Sequence, residues 1–356
     1  MTENQEKNVK IFSFYAEKGG VGKTTLCITL ASKFSQMGKR VLIYDCDAQR
    51  SLTSWIFGDE IQRKFGGHIT NFINQNVFPR TLYDQMIDPT CNKTATAIKV
   101  RNHNLFIVPG SHDTNKLDGK ISFDETLSNG GYGLTNVNNV TGKPYNCIMS
   151  TAKAYEADYV FLDLSSYAGV LNRCLIMTSN YLIIPTTPDF FSYEMFKNME
   201  KILKNWDTDI EKMRESTRRG LCPLPEKKMK FLGYILSRYI PLMKGEILNG
   251  IACDSLRAKE EIWVNQINQQ AKELTTKLSE LNLARISFFK NISDELHLPV
   301  HLLTTEDFKL YSCLIGGENK APQNNEMYRV EEFSVIFDEI AKTIELVTEE
   351  DNRVSI

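Results

Sequence analysis

The sequence predicts an α/β fold, a doubly wound and mostly parallel sheet with helices on both of its faces. Short apolar runs alternate along the chain with stretches of helical pattern, which is typical of a parallel sheet covered on both sides. The first apolar run leads through a glycine-rich turn into a helical stretch, the local arrangement of a phosphate-binding loop. Acidic residues directly follow two other runs, and ligands collect at the carboxyl ends of parallel strands.

The glycine-rich turn at 17–25 has the composition that phosphate binding requires. Glycines let backbone N–H groups surround an anion, the helix N-terminus adds its positive end, and a lysine neutralises the outer phosphates. Lys23 stands where that lysine is expected, and the hydroxyl of Thr24 stands where a Mg²⁺ ligand is expected. The chain departs from the common pattern at Glu17, which replaces a glycine, and at Lys18, an additional base inside the loop.

This variant of the loop, K-G-G-x-G-K-T-T, resembles the deviant Walker A box of the ParA/MinD family of P-loop ATPases. Within that family the chain is similar to ParA/Soj-like partition ATPases without an N-terminal helix-turn-helix. The resemblance implies ATP and Mg²⁺ as cofactors and a homodimer that forms on ATP binding. It also implies that Lys18 of one subunit reaches the phosphates held by the other subunit. The nucleotide-binding residues of the loop are then Lys18, Gly19, Gly20, Val21, Gly22, Lys23, Thr24 and Thr25.

Composition and charge describe an ordinary globular protein. The 356 residues are 42% hydrophobic and 24% charged with net charge −2, so no overall basic field indicates nucleic acid. The eight cysteines are scattered without a C-x-x-C pair, which predicts reduced thiols and argues against disulfide frameworks and iron–sulfur clusters. No apolar run approaches the ~20 residues of a membrane span, and the polar N-terminus does not resemble a signal peptide. We expect a cytoplasmic protein, associated with the nucleoid if it binds DNA.

An acidic box follows the apolar run 40–44. Its sequence, D-C-D-A-Q from Asp45 to Gln49, is similar to the D-x-D-P-Q box of the ParA/MinD family, with Ala48 in place of the proline. The resemblance implies that Asp47 orients and polarises the attacking water and that Asp45 supports the metal shell. The alternative from the residues alone is that this pair of acids caps the helix that follows.

The chain between the recognisable strands is longer than a minimal member of the family needs. Residues 104–111 are similar to the family's strand that ends in P-G-S. Residues 127–146 are rich in glycine and asparagine and predict a loop. We expect a single ParA-like domain over 1–356, with insertions at about 59–103, 112–157 and 240–300.

A second acidic strand end lies at 159–163, where apolar residues precede Asp163. A carboxylate at such a strand end lies beside the phosphate loop and can hold a Mg²⁺-bound water. The segment that follows lacks the prolines that relatives carry, and we expect Gly169 to keep it pliable. The resemblance implies catalytic roles for Lys18, Lys23, Asp47 and Asp163, and a metal site formed by Thr24, Asp45, Asp47 and Asp163.

Two further strands are predicted at 181–188 and 231–238, with an amphipathic helix at 190–206 between them. Relatives end the second of these strands in N-R, and the asparagine amide reads the edge of the adenine. This chain has Ser237 and Arg238 at those positions. We therefore expect both residues to contact the nucleotide, with weaker selectivity for the base than the asparagine provides.

The most basic stretch of the chain is 211–230, with seven basic and three acidic side chains. Such a run is commonly a solvated face of the protein. It is also the segment that would contact DNA if an ATP-bound dimer binds duplex without sequence preference, because lysines and arginines supply that affinity. The residues concerned are Arg214, Arg218, Arg219, Lys227, Lys228 and Lys230.

Two helices and a short strand are predicted in the C-terminal third. One helix covers about 254–283, and its apolar repeat either packs on the core or forms a surface for a partner. The strand is predicted at 300–303. The last helix, at about 330–347, is amphipathic and lies in the acidic segment 327–356, which has eight acids and three bases. Helices that dock on membranes need a basic polar face, so we expect no membrane binding.

Three functions fit these features. The one we favour is a ParA-like partition or positioning ATPase that hydrolyses ATP slowly, binds DNA without sequence preference, and is released by a ParB-like protein or a cargo adaptor. The second is an ATP-gated switch that recruits another protein and binds neither DNA nor membrane. The third is a metabolic ligase or synthetase on the same fold. Lys18 argues against the third function, because such relatives mostly lack this lysine.

Overall fold

The structure, a computed structural model, describes most of the chain up to residue 239 and separate segments after it. The described residues are 8–65, 81–88, 93–100, 104–129, 142–217, 222, 224–239, 247–248, 251–252, 262–271, 281–284 and 324–353. The predicted strand at 300–303 and the centre of the predicted glycine-rich loop, 130–141, lie outside these residues.

An eight-stranded sheet forms the centre of the described part of the molecule. The described residues form ten strands, eight of which belong to this sheet. They are β1 (Lys10–Phe14), β2 (Val41–Asp45), β3 (Ile98–Lys99), β4 (Leu105–Val108), β5 (Tyr159–Asp163), β6 (Tyr181–Thr186), β7 (Lys230–Tyr239), β8 (Ile247–Leu248), β9 (Ile251–Ala252) and β10 (Leu281–Ala284). The strand order is β10-β7-β6-β1-β5-β2-β4-β3, and only β3 runs antiparallel to its neighbour. The strands β8 and β9 pair separately with each other.

Helices cover both faces of this sheet, which confirms the predicted doubly wound arrangement. The helices are α1 (Lys23–Gln36), α2 (Ser51–Phe65), α3 (Leu82–Ile87), α4 (Lys116–Asn129), α5 (Lys143–Ala154), α6 (Val170–Thr178), α7 (Phe190–Thr217), α8 (262–271) and α9 (Asn324–Arg353). A short 3-10 helix, His112–Asn115, leads directly into α4.

The sheet has two cores because its central strands are apolar at nearly every position. In β1, Phe12 and Phe14 lie in the core under α1, α2 and α9. Ile11 lies in the other core, which α4, α5, α6 and α7 cover. Successive side chains of a strand point to opposite faces, so a continuous apolar run is stable only where both faces are covered.

The C-terminal helix α9 packs against α1, the helix that follows the phosphate loop. Phe337, Ile340 and Ile344 of α9 are buried in the same core as α1. At the edge of this contact the ammonium of Lys33 lies 2.9 Å from the carboxylate of Asp338. The apolar face of the acidic helix is therefore used inside the protein. None of the described helices is long and apolar enough to cross a membrane.

The extents of three predicted helices are wrong. Within the predicted helix 254–283, residues 262–271 are helical, whereas Leu281–Ala284 forms the edge strand β10 beside β7. An edge strand satisfies backbone N–H and C=O groups of its neighbour, and a local apolar pattern does not reveal that demand. The buried side chains Ile267 and Ala271 show that α8 packs on the core. The other two helices are longer than predicted: α7 continues beyond 190–206 to Thr217, and α9 extends beyond about 330–347 at both ends.

The cysteines differ in one respect from the expectation of reduced thiols. Cys27, Cys46, Cys147 and Cys174 are free and buried. Cys222, in contrast, is disulfide-bonded. The predicted loop at 127–146 is also shorter than expected, because α4 extends to Asn129 and α5 begins at Lys143.

Candidate functional site

The phosphate loop joins β1 to α1 at the carboxyl edge of the sheet, as predicted. Gly20 and Gly22 have φ angles of 73° and 85°, in the left-handed region that favours glycine. Gly22 is the N-cap of α1, so no side chain caps this terminus, and the first turn contains no acidic residue. The first N–H groups of α1 and the positive end of its dipole are therefore available to an anion in the loop.

Lys23, Thr24 and Asp163 meet behind this loop. Thr24 Oγ1 donates a hydrogen bond to Asp163 Oδ2 at 2.8 Å, and Lys23 Nζ lies 3.9 Å from Asp163 Oδ1. Burial raises the pKa of Asp163, while the charge of Lys23 and the hydrogen bond from Thr24 oppose that increase. The structure brings Asp163 next to Lys23 and Thr24, as the prediction required, although 139 positions separate Thr24 from Asp163 in the sequence.

These residues fit a magnesium ion. Within the described part of the chain, the buried Oδ1 of Asp163 accepts no hydrogen bond. The ammonium of Lys23 lies 3.9 Å away, too far for a hydrogen bond, and a buried carboxylate oxygen without a hydrogen bond is unfavourable unless a cation or water binds it. A carboxylate and a threonine hydroxyl are ligands that Mg²⁺ accepts beside phosphates, usually with several waters retained. Thr24 and Asp163 are therefore the two predicted metal-site residues that this geometry supports best.

Asp45 is buried and held inside the chain. Its Oδ2 accepts hydrogen bonds from Thr53 N at 2.8 Å and from Thr53 Oγ1 at 2.6 Å, and its Oδ1 accepts one from Asp47 N at 3.2 Å. Burial, together with the charge of Asp163, raises the pKa of Asp45 to about 7. Both oxygens are engaged within the chain, so Asp45 supports its loop, and its predicted part in the metal shell is indirect.

Asp47 lies in the loop between β2 and α2 and is partly exposed. Its Oδ1 accepts a hydrogen bond from Gln49 N at 3.0 Å, and its Oδ2 accepts one from Ser51 Oγ at 3.4 Å. These contacts form a turn ahead of α2, which begins at Ser51, and they do not cap the N–H groups of the helix. Of the two acids, Asp45 makes the contact that the capping alternative expected, because it accepts the N–H of Thr53 in the first turn of α2. Asp47 also borders a cavity of about 530 Å³ between the loops that follow β2 and β5. The turn contacts of Asp47 are compatible with a water-orienting role.

Lys18 contacts residues of its own chain. Its Nζ donates a hydrogen bond to Thr187 Oγ1 at 3.1 Å and forms an ion pair with Asp189. It also lies 5.9 Å from the centre of the Phe191 ring, and Phe191 is 72% exposed. Burial acts to raise the pKa of Asp189, but the hydrogen bonds from Lys18 and Thr187 lower it below its usual value. The sequence pattern did not indicate a role for Thr187 or Asp189, although an acid that closely follows the β6 strand is a signal of a site at this edge of the sheet.

Ser237 and Arg238 lie near the end of β7, at the same edge of the sheet as the phosphate loop. The backbone of both residues is described, and their side chains lie outside the described residues. Their contact with the nucleotide therefore stays a prediction.

The basic segment 211–230 is partly neutralised by helix α7. Lys228 Nζ lies 3.0 Å from the carboxylate of Asp207 and 3.3 Å from that of Glu211. Arg214 Nε lies 3.4 Å from the same Glu211 carboxylate, and Arg214 also donates a hydrogen bond to a backbone carbonyl. Two of the six predicted DNA contacts are thus engaged with acids of this chain, which weakens them as phosphate ligands.

The remaining predicted DNA contacts lie at the amino edge of the sheet or are not described. Lys230 is the first residue of β7 and pairs in register with Tyr181, the first residue of β6. Lys227 and Lys230 are exposed. Arg218 and Arg219 lie outside the described residues. The described part of the basic segment is therefore at the end of the strands opposite to the phosphate loop.

Comparison with known proteins shows what the chain is similar to. The AAA_31 family model, described as AAA domain, matches residues 9–215, more than half of the chain. The virulence plasmid ParA family protein pGP5-D of Chlamydia psittaci is 28% identical over 190 residues, which are 52% of this chain and 59% of that protein. The sporulation initiation inhibitor protein Soj of Bacillus subtilis is 23% identical over 245 residues, which are 65% of this chain and 84% of Soj. The chain spans 59% of the length of the first relatives that it matches, from Mycobacterium tuberculosis.

A solved structure shares the fold. The ATP complex of McdA from Cyanothece superposes with a TM-score of 0.52 at 15% identity, over 88% of this chain and 99% of that chain. At this level of identity the similarity concerns the fold alone, since one fold can carry many functions.

Proposed function

Because the chain belongs to the AAA_31 family and is a P-loop ATPase of the ParA/MinD type, we propose that it is an ATP-dependent, dimerising switch. In this proposal ATP binding joins two copies of the chain, and slow hydrolysis of ATP times their separation. The cycle serves the partition of DNA or a plasmid, or the positioning of another cargo, in the cytoplasm.

The observation that carries the proposal is the junction of Lys23, Thr24 and Asp163 beneath the uncapped N-terminus of α1. Thr24 and Asp163 are the residues that would hold magnesium, which when bound neutralises charge on the phosphates. Lys23 adds a fixed positive charge where negative charge develops during phosphoryl transfer. The N–H groups of the loop hold the phosphates in position without needing to reorganise.

Asp47 and Lys18 have the two roles that distinguish such a switch from a simple nucleotide carrier. The carboxylate of Asp47 orients the attacking water from the border of the cavity. Lys18 acts on the nucleotide of the other subunit, for which it must leave its own Thr187 and Asp189. In the dimer the Lys18 ammonium therefore exchanges its contacts with Thr187 and Asp189 for contacts with the phosphates of the other subunit. Lys18 contributes to hydrolysis only after the dimer has formed.

The loops after Asp47 and Asp163 then sense the terminal phosphate. Each loop directly follows a strand that ends beside the phosphate loop, so loss of the phosphate changes their contacts and the outer surface of the dimer. A partner that reads this surface, either a ParB-like protein or a cargo adaptor, would stimulate hydrolysis.

A second candidate function is a switch of the same chemistry that recruits a protein and binds neither DNA nor membrane. The pairing of Lys228 and Arg214 with acids of α7 favours it. The position of Lys230 favours it as well. In a dimer joined through the phosphate loops, the amino edges of the two sheets face away from each other, so two such patches do not meet one duplex.

The dimer is tested by size-exclusion chromatography with light scattering. Asp47→Ala is expected to bind ATP, to elute as a dimer with ATP and Mg²⁺, and to remain a dimer, because the water is no longer oriented and the terminal phosphate stays in place. Wild-type protein is expected to return to the monomer as ATP is consumed. A monomeric Asp47→Ala protein at saturating ATP would contradict the proposal.

DNA binding is tested by fluorescence anisotropy with a duplex of arbitrary sequence at several salt concentrations. We expect Lys227→Glu/Lys230→Glu to leave the affinity of the ATP-bound protein within about twofold, since these residues lie at the amino edge of the sheet. If they contact phosphates, the affinity falls instead, and the salt slope decreases by about one for each lysine. A duplex affinity that is absent with ATP at low salt would favour the protein-recruiting switch.

A further inference from the structure

His112 connects the loop after β4 with the loop that carries Asp47. Its Nδ1 lies 2.9 Å from the carbonyl oxygen of Ala48, and its Nε2 contacts a guanidinium nitrogen of Arg50. A guanidinium can only donate, so Nε2 accepts that hydrogen bond. The proton of the ring is then on Nδ1, which donates to Ala48 O. One histidine thus holds the loop at two points on either side of Gln49.

The backbone of the Asp47 loop is strained where His112 holds it. Arg50 has a φ angle of 56°, a left-handed conformation that is uncommon for a residue with a long side chain. The residue is nevertheless buried, with 8% of its surface exposed. Strained backbone persists only where surrounding contacts determine it, and it is frequent at functional loops. The contact with His112 is one of those contacts.

Asp118 makes the corresponding connection to the loop after Asp163. Its Oδ1 accepts a hydrogen bond from Leu171 N at 2.8 Å, in the first turn of α6. The N-cap of α6 is Gly169, which supplies no side-chain cap, so a residue from another helix takes that role. Asn172, which lies in α6 itself, also holds this loop: its Nδ2 donates to the carbonyl oxygens of Ser165 at 3.0 Å and Tyr167 at 2.6 Å.

Gly169 permits this connection by the absence of a side chain. Its φ angle is −84°, which any residue can adopt. A Cβ at this position would collide with Asp118 Oδ1 and lie 2.7 Å from a ring carbon of Tyr167. The expectation that Gly169 keeps the loop pliable stays a prediction. The glycine allows a close approach that fixes the loop to Asp118.

His112 and Asp118 belong to one continuous segment, the 3-10 helix and the first turn of α4. Residues of this segment also line the 530 Å³ cavity, together with residues of both loops. We propose that residues 112–118, the anchor segment, hold the Asp47 loop and the loop after Asp163 as one unit, with His112 and Asp118 as positioning residues for ATP hydrolysis. This inference rests on the proposed function, in which both loops act on the terminal phosphate.

The test compares full-length variants in three measurements: steady-state hydrolysis of ATP, calorimetric affinity for AMPPNP, and the thermal midpoint of unfolding. We expect His112→Ala and Asp118→Ala each to lower kcat about ten- to a hundredfold, since a small misplacement of a catalytic group has effects of that size. Affinity for AMPPNP should change less than about threefold, because neither residue touches the phosphate loop. Lys116→Ala is the matched control, since Lys116 is in the anchor segment and pairs only with the nearby Asp113 in the described contacts.

Conservative variants separate positioning from folding. In His112→Asn the amide nitrogen can replace Nδ1 and donate to Ala48 O, and in His112→Gln the amide oxygen can replace Nε2 and accept from Arg50. Each should recover part of the kcat that His112→Ala loses. Gly169→Ala should lower kcat as Asp118→Ala does, because the added methyl group displaces the Asp118 carboxylate.

The double variant His112→Ala/Asp118→Ala decides whether the two loops act as one unit. If the anchor segment holds both, the second substitution adds little, and kcat stays within about threefold of the worse single variant. Three results would each overturn the inference. The first is a kcat of the double variant that is lowered by the product of the two single effects. The others are an unchanged kcat in both single variants, and an AMPPNP affinity that falls in step with kcat. Wild-type protein that hydrolyses no ATP overturns the proposed function and the anchor role together, whereas the other outcomes leave the proposed function intact.

Discussion

Lys23→Ala is expected to lose nearly all ATP binding, with affinity lowered roughly thirty- to four-thousandfold. Lys23 is only 10% exposed, and its ammonium lies beside Asp163 behind the uncapped terminus of α1. Truncating one member of a buried charge pair costs about 2–5 kcal/mol, because the partner charge is left without compensation. Here the phosphates of ATP and the carboxylate of Asp163 both lose the same cation. Isothermal titration calorimetry with ATP and Mg²⁺ measures the change.

Lys33→Ala is the matched control for this variant. Lys33 is a second buried lysine of α1, and it contacts Ser334 and Asp338 of α9 instead of the phosphate loop. Its removal should lower the thermal midpoint and leave ATP affinity nearly unchanged. Lys23→Gln keeps much of the side-chain volume and serves if Lys23→Ala does not fold. An unchanged ATP affinity in a folded Lys23 variant would rule out the phosphate-loop assignment.

Lys18→Ala should bind ATP with little loss of affinity, remain monomeric, and hydrolyse ATP at least about a hundredfold more slowly. The reason is that a fixed cation aimed at developing charge contributes a factor of this size or more to kcat, and in the proposed dimer this cation comes from the other subunit. A mixture of Lys18→Ala and Asp47→Ala subunits should regain activity. Each mixed dimer contains one site that keeps its own Asp47 and receives an intact Lys18 from the other subunit. ATPase rates of the single and mixed proteins test this prediction.

Asp189→Asn separates this role from the contacts of Lys18 within its own subunit. The substitution removes the ion pair of Lys18 and Asp189 but leaves the lysine in place. If Lys18 acts across the dimer, Asp189→Asn keeps most of its hydrolytic activity, because the lysine no longer has to leave a charged partner. If the ion pair of Lys18 and Asp189 is itself required for hydrolysis, Asp189→Asn loses ATPase activity as Lys18→Ala does. In that case mixed dimers of Lys18→Ala and Asp47→Ala subunits, once shown to form, do not regain activity.

The parts of the fold that local sequence controls were predicted correctly. The phosphate loop was readable because its glycines, its two lysines and the flanking strand and helix are adjacent in the chain. The apolar runs at β1, β2, β5 and β6 were readable because strands buried on both faces tolerate few polar residues. Asp163 was found for the same reason, since an acid directly after such a run lies at a known edge of the sheet.

The sequence did not reveal the contacts between segments that the sheet order brings together. The anchoring of the Asp47 loop by His112, and that of the α6 terminus by Asp118, each join residues more than fifty positions apart. The contact of Lys18 with Asp189 spans 171 positions. Such pairs have no periodicity or spacing that a local pattern could show, because their proximity depends on which strands are neighbours and on how the loops cross the edge.

Tertiary structure also decided at which edge of the sheet the basic residues lie and which acids pair with them. In the sequence the basic segment 211–230 looks like a single patch. In the structure its described lysines lie at the amino edge of the sheet, where β7 begins, and α7 supplies acids that pair with Lys228 and Arg214. Residues 281–283 were predicted as the end of a helix, yet 281–284 form a strand because the edge of β7 needs hydrogen-bond partners. Local sequence determines which secondary structures a segment can form. Which of them it does form depends on the unpaired backbone groups and the charges of its neighbours, and those neighbours are known only after folding.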